Sequence, residues 1–425
     1  MNRAVYFILL LTCCTSGIDA QTNPAITAWL QNPTGITGYE GIPINVQQVQ
    51  YSTNFVYISC TDIPGWLPLT STDGVSAGPD DYWPNNPWEP LNKNYLFKIR
   101  LNPIQNTGTP TVAPYGHIGI FTNGMSLYNP LDAKSWEEEN VWFQNAFYFE
   151  HIDLQTFDIC MGHPNGNFEY HSHVSPKCHW DETNSSVHAP LIGFAFDGFP
   201  IYGSYGYSNT NGTGPIRKIN SSYRLRNITE RTTLPDGTVL TPNFFGPPLS
   251  TYPLGAYAQD YEYVAGLGDL DEHNGRFCVT PEYPSGIYCY FATLDDNLVP
   301  AYPYLIGPTF YGVVTSSNMG PNGGLNTTIT EPVTVYLSIN EVDNVLVLLC
   351  YPNPASDTVN FYIPASFNSN MTFSIFDITG KKIKEVSNIQ TAVSYSIDVS
   401  ELQSGQYIVT LDNGTTKTSE KIIIK

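Results

Sequence analysis

Charge is scarce in this chain. Charged residues make up 13% of its 425 residues, with 18 Lys and Arg against 38 Asp and Glu, for a formal net charge of -20. Without a basic surface to neutralise phosphate, nucleic acid and anionic membranes are excluded as partners. Beyond the first residues no run approaches the roughly 20 consecutive apolar residues of a membrane helix, so no transmembrane segment is expected. There is no Gly-x-Ser-x-Gly elbow, no His-Glu-x-x-His and no Gly-rich phosphate loop, so the usual markers of hydrolysis and nucleotide chemistry are missing. Amphipathic charged helices are equally hard to find, whereas Gly, Pro and Tyr number 34, 33 and 29. That balance, with 41% hydrophobic content, favours a mainly β protein of short strands and loops.

The start reads as a signal peptide over residues 1–20. Arg3 precedes a short apolar run, and Ser16 to Ala20 supply small residues for cleavage before Gln21. Leu11-Thr12-Cys13 is an alternative lipoprotein box, with Thr12 poorly suited to its place. Export means an oxidising compartment, where Cys60, Cys160, Cys178, Cys278, Cys289 and Cys350 can pair. Proximity suggests Cys160 with Cys178 and Cys278 with Cys289, while Cys60 and Cys350 have no evident partner. Cys160 or Cys289 as a metal ligand beside histidine is the competing reading.

From residue 22 to about 320 the chain runs as aromatic-apolar segments punctuated by Gly, Pro and Asn, such as Phe55-Val56-Tyr57-Ile58-Ser59. These are strand and turn signals. A Gly/Asn/Thr/Ser stretch around 318–330 reads as a linker, and the lysine-rich alternating tail as a separate domain. The expected divisions are 1–20, 21–316 with a core of about 90–315, 317–344 as linker, and 345–425.

Chemistry concentrates between Asp158 and His173, which holds Cys160, His163 and the pair His171-Ser172-His173. In a strand, alternate residues share a face, so His171, His173 and Glu169 fall together, with the imidazole Cβ atoms roughly 6.5 to 7 Å apart. Two imidazoles so placed can share one metal ion. His163, His117 and His188 are the best further ligands, with Asp197 and Asp271 as acidic or outer partners that fix a histidine tautomer. Imidazole-rich sites suit copper or zinc. An echo follows downstream: Asp271-Glu-His273-Asn-Gly275-Arg276 and then Tyr288-Cys289-Tyr290-Phe291 keep the order of the first motif and lose its paired histidines. Two copies of one motif predict a pseudo-symmetric β architecture.

With Gly162-His163-Pro164, Tyr170-His171-Ser172-His173, the run from His188 to Gly203, Asp269-Leu-Asp271-Glu272 and Tyr302-Pro-Tyr304-Leu-Ile-Gly307, residues 90 to 315 resemble the YHYH domain family. The resemblance implies an exported domain and names no reaction. Ser172 departs from the family's second tyrosine, Cys289 and Phe291 stand where relatives often keep histidines, and His273 stands for an expected cysteine. The tail, with Tyr351-Pro352-Asn353-Pro354-Ala355, Ile375 to Lys381 and Leu402 to Tyr407, resembles the type A sorting domain of the type IX secretion system. This implies a small β-sandwich read by that machinery and a product released or held on the outer surface.

Two other classes of function stay open. Residues 82–88, Tyr-Trp-Pro-Asn-Asn-Pro-Trp, form an aromatic loop of the type that binds surface glycans or small molecules, although such rings commonly pack cores. A metal-bound water beside His and Asp would make a hydrolase. Arg217, Lys218, Arg224, Arg226 and Arg231 form a basic patch that reads as neighbour-paired surface charges.

Overall fold

The computed structural model describes residues 23–67, 83, 85–336, 350–351, 354–363, 371–389, 393–412 and 417–425. The expected signal peptide, Tyr82 and Pro84 lie outside these residues. The protein is mainly β, as its composition implies. Short strands dominate because β-branched and aromatic residues alternate with polar ones between turn-forming Gly and Asn; Tyr95–Arg100, for instance, buries every second residue.

The functional region is built on an eight-stranded sheet: β1 (His117–Phe121), β2 (Ser126–Tyr128), β3 (His163–Pro164), β4 (Tyr170–Ser172), β5 (Leu191–Ala195), β6 (Pro200–Tyr202), β7 (Gly275–Cys278) and β8 (Ile287–Phe291), in the order β7-β8-β6-β5-β1-β2-β4-β3. Each half is a hairpin, β1-β2 or β5-β6, to which a strand adds in parallel and then another antiparallel. The halves join at β1 and β5, where Gly119, Ile120 and Phe121 face Ala195, Phe194 and Gly193. Both hairpins carry a bulge at the same place, His117/Gly119 and Leu191/Gly193. The sequence echo is therefore a structural duplication about a pseudo-two-fold axis through Ile120 and Phe194.

The repeated Asp-x-x-x-Gly turns show why the motif recurs. Asp158 Oδ1 accepts from the amides of Cys160 and Gly162, and Asp271 Oδ1 from those of His273 and Gly275. Each carboxylate also accepts a tyrosine hydroxyl, Tyr170 at 2.6 Å and Tyr288 at 2.8 Å. The tyrosine ring lies flat on the glycine: a Cβ at Gly162 would sit 2.4 Å from Tyr170, and one at Gly275 2.3 Å from Tyr288. No side chain fits at either position.

A four-stranded antiparallel sheet, ordered 334–336, 46–51, 55–60, 95–100, covers one face of the large sheet. Val49, Ile58 and Phe97 pack there with Ile120, Phe194 and Phe291, each contributing about 1.5–3 kcal/mol by burial. The strand at 334–336 corrects the expected end of the domain at 316. Residues 317–336 belong to this fold: the Asn318 side chain bridges the backbone of Lys98, and Thr334–Tyr336 completes the sheet. Their Gly and Asn content serves tight packing, since a Cβ at Gly323 would lie 2.0 Å from the Asn318 carbonyl. The tail forms two sheets, 350–351/358–363/393–398 and 382–389/371–377/405–412/417–424. They share one core, in which Phe361 stacks on Phe373 at 4.3 Å, giving the expected small sandwich.

Candidate metal centre

β3 and β4 place His163 opposite His171 in register, and the two-residue period brings His173 to the same side. The ligand atoms of the three lie within 4.8 Å of one another, and all three residues are buried. Nε2 of His171 is 3.2 Å from Nε2 of His173. A fourth donor comes from a π-helical segment, Phe147–Asp153, an element often found at functional sites. Its Glu150 sets Oε2 3.1 Å from His173 Nε2 and 3.5 Å from His163 Nε2.

The partners of the other ring nitrogens fix the tautomers. Nδ1 of His173 lies 2.5 Å from the Asn129 carbonyl and Nδ1 of His171 3.3 Å from the Glu169 carbonyl. Carbonyls only accept, so both Nδ1 atoms carry the proton. Nδ1 of His163 meets Thr156 Oγ1 at 3.0 Å, and that hydroxyl already donates to the Glu150 carbonyl, so His163 is also an Nδ1–H tautomer. Three Nε2 lone pairs and a carboxylate thus converge with no donor among them. His163 Nε2 and Glu150 Oε2 have no hydrogen-bond partner among the described residues. Such an arrangement calls for a cation, either protons or a metal ion. Donors about 2.0–2.1 Å from a central ion in a tetrahedron are about 3.3–3.4 Å apart; three of the contacts, 3.1, 3.2 and 3.5 Å, lie near that spacing, within a triad whose ligand atoms span up to 4.8 Å.

The electrostatics follow from this crowding. Burial pushes His171 well below the usual imidazole range, and His163 and His173 beside it push the same way. Burial also lowers His173, but the Glu150 carboxylate outweighs it and holds this imidazole above its ordinary value. Glu150 itself is raised by burial and lowered further by His163 and His173, so it remains a carboxylate. Tyr128 packs on His171 with the rings tilted by 34° and their centroids 4.0 Å apart, and donates to Glu169 Oε2 at 2.6 Å. Burial raises Glu169, yet His117 at 2.5 Å and its neighbours bring it to about 2.

Of the residues expected from sequence, His163, His171 and His173 come together, and the rest do other work. Both ring nitrogens of His117 are occupied, Nε2 by Glu169 and Nδ1 by the Gly320 carbonyl at 2.8 Å. Glu169 shares the strand face foreseen for it and is spent on His117 and Tyr128. His188 caps the Ala189 carbonyl and packs on Tyr202 and Tyr207, away from the triad. Asp197 holds a turn, accepting from Tyr290, Phe199 and Gly312, and Asp271 is the turn residue of the second half. Cys160 and Cys178 form the expected disulfide. Cys278 and Cys289 are buried thiols rather than a second one. Trp83 of the aromatic loop is buried, donates to Asp158 and packs the core, whereas Trp88 is exposed and meets Phe168 edge to face at 5.7 Å. In the basic patch Arg217, Lys218, Arg224 and Arg231 are paired with Asp269, Asp296, Glu262 and Asp260. Glu150 and Thr156 escaped the sequence reading. Nothing in Phe-Tyr-Phe-Glu-His-Ile-Asp distinguishes Glu150 from other acids until the π turn folds back over β3.

Comparison with known proteins bears on this geometry. The family model described as "YHYH protein" matches residues 96–303, the span that carries both halves of the large sheet. The chain carries a YHYH domain. A second model, "secretion system C-terminal sorting domain", matches residues 349–425, the sandwich of the tail, and makes the protein an exported one, secreted or held at the cell surface. No curated protein matches the chain. In the YHYH domain the two halves have diverged at equivalent positions: Arg276 faces Cys289 in register where His163 faces His171, and Phe291 stands for His173. Only the first half keeps a ligand set.

Proposed function

We propose that the YHYH domain is a metal-binding module of an exported protein, holding one first-row divalent ion through His163, His171 and His173 with Glu150 as fourth donor. The observation that carries this reading is the convergence of three imidazole lone pairs, each fixed by its Nδ1 partner, on a carboxylate oxygen that has no other partner. The donor set suits zinc or copper. When bound, zinc supplies Lewis acidity, and copper one-electron chemistry. The protein's part is to orient the rings, keep water away from their Nδ1 bonds, and neutralise the ion with Glu150. A second reading is metal-assisted hydrolysis: the Glu150 side chain is 17% exposed although its Oε2 is buried against the imidazoles, and that carboxylate would serve as base. On this reading the exported chain begins at Gln21 after signal-peptide cleavage, and the sandwich matched at residues 349–425 is the part read by the type IX machinery.

Elemental analysis of the purified full chain tests this reading, with a His171→Ala/His173→Ala double variant beside it. Near-stoichiometric zinc or copper that disappears in the variant is expected. Free zinc at 100 times its Kd should also stabilise the wild type by about 2.7 kcal/mol. No metal in the wild type after reconstitution with both ions overturns the assignment.

A further inference from the structure

The second half of the sheet places a cation of its own where the first half gathers ligands. Arg276 occupies the position of His163 and is 9% exposed. It lies over the Phe291 ring at 5.3 Å and donates once, to the Tyr207 carbonyl. Its Nε has no hydrogen-bond partner, and no carboxylate forms an ion pair with it among the described residues; the nearby Asp269 is engaged by Arg217 through two bonds of 2.6 Å. A buried guanidinium without an anion is costly. What does lie beside it is sulfur. On β7 only Phe277 points outward, so Arg276 and Cys278 share the inner face. The register Arg276↔Cys289 and Cys278↔Ile287 puts Cys289 on that face too, diagonal to Cys278. Cys289 Sγ donates to the Ile287 carbonyl at 3.5 Å; the Cys289 side chain, and then Arg276, lower Cys278 against the opposing effect of burial, whereas burial raises Cys289. Glu282 supplies negative charge nearby, and His188, held below the usual imidazole range by burial, completes the surroundings.

We propose that Cys278 and Cys289 form a redox-active dithiol, with Cys278 the attacking sulfur and Arg276 the cation that positions it. A low-molecular-weight disulfide is the oxidant. The Cys278 thiolate attacks it and expels one thiolate; Cys289 then attacks the Cys278 sulfur of the mixed disulfide, loses its proton and expels the second thiolate. Two protein thiols and one small disulfide become one cross-strand disulfide and two small thiols. β7 is an edge strand of four residues, so fraying gives the reagent access. Thiolates beside arginine with a resolving cysteine at hand behave in this way.

The test is equilibration of the full chain with reduced and oxidised glutathione, followed by differential alkylation and peptide mass spectrometry. A peptide linking Cys278 to Cys289 is expected to appear and vanish with the poise while Cys160–Cys178 stays linked. Cys289→Ser should trap one glutathione on Cys278, and Arg276→Gln should slow Cys278 alkylation at neutral pH relative to wild type, because Arg276 lowers that thiol. Cys60, buried in an internal strand, is the inert control. Failure to detect the linked peptide at any poise, with Cys289→Ser taking up no glutathione, overturns the proposal. Metal content is untouched by these variants, so the outcome is independent of the first-half site.

Discussion

Replacing Thr156 by valine keeps the shape of the side chain and removes one hydroxyl, and the geometry says what that hydroxyl does. Thr156 Oγ1 accepts from His163 Nδ1 at 3.0 Å and donates to the Glu150 carbonyl at 2.9 Å. The carbonyl keeps a second partner, the Thr156 amide at 2.7 Å, so its loss is small. His163 is left with a buried N–H facing a methyl, a cost of about 1–3 kcal/mol, which the ring escapes by moving its proton to Nε2. That tautomer has no lone pair for a metal. Loss of such an outer partner lowers metal affinity by about 10–100-fold, or roughly 1.4–2.7 kcal/mol at 1.36 kcal/mol per decade. Competition against a fluorescent zinc chelator measures this directly, with Thr183→Val, which removes an exposed hydroxyl bonded to Asp181, as the control. Zinc affinity within about twofold of wild type in Thr156→Val would refute the tautomer argument, and with it the assignment of His163 as an Nε2 ligand.

In the metal-free protein, His173 sits above its unfolded value because Glu150 outweighs burial; its contribution is fully present below about pH 6.5 and is lost as pH rises through the folded value. Glu150→Gln should abolish that alkaline loss in urea unfolding series between pH 6 and 8, and an unchanged pH slope counts against the pairing. Reducing Cys160–Cys178, or Cys160→Ser/Cys178→Ser, should destabilise the domain by about 3 kcal/mol, the loop-closure value for a separation of 18 residues, read as the shift in denaturant midpoint times the slope. A chain ending at 316 should unfold at a lower temperature than one ending at 345, because only the longer retains the 334–336 strand and the Gly320 carbonyl that holds His117; equal melting temperatures would return 317–336 to the status of a linker. Deleting 349–425 should leave the YHYH domain folded and keep it inside the cell envelope, as fractionation would show.

Much of this was legible because motif spacing survives folding without help from tertiary context. His171 and His173 were readable as a pair since a strand's period is two, and His163 because it precedes a short turn back to them. The duplication was visible in Asp, Gly and Tyr alone, residues whose roles in the turn admit no substitute. What stayed hidden required distant chain. Glu150 reaches the triad only through a π-helical turn that periodicity does not announce. His117 looked like a ligand by composition, and only the approach of Gly320 and Glu169 shows both its nitrogens engaged. Residues 317–336 looked like a linker because glycine and asparagine serve equally for mobility and for backbone packed at close range, and sequence composition does not separate the two.

The two halves of the sheet show how one backbone supports opposite electrostatics. At the inner position of the outermost strand the first half carries His163 and the second Arg276; opposite them stand His171 and Cys289. The backbone supports are shared: the aspartate turn, the glycine beneath the tyrosine, the bulged hairpin. In the first half three imidazoles and the Glu150 carboxylate converge, a set that could hold a cation. In the second half the guanidinium is that cation, built in, and the groups facing it are those that can become anions. An ion-binding site in the second half would have to expel Arg276, whereas restoring ligands there takes Arg276→His, Cys289→His and Phe291→His together. Because Glu150 comes from a π turn with no counterpart in the second half among the described residues, even that triple exchange should yield a site that lacks its fourth donor. The proposed site of the first half thus rests as much on the segment that carries Glu150 as on the histidines that mark it.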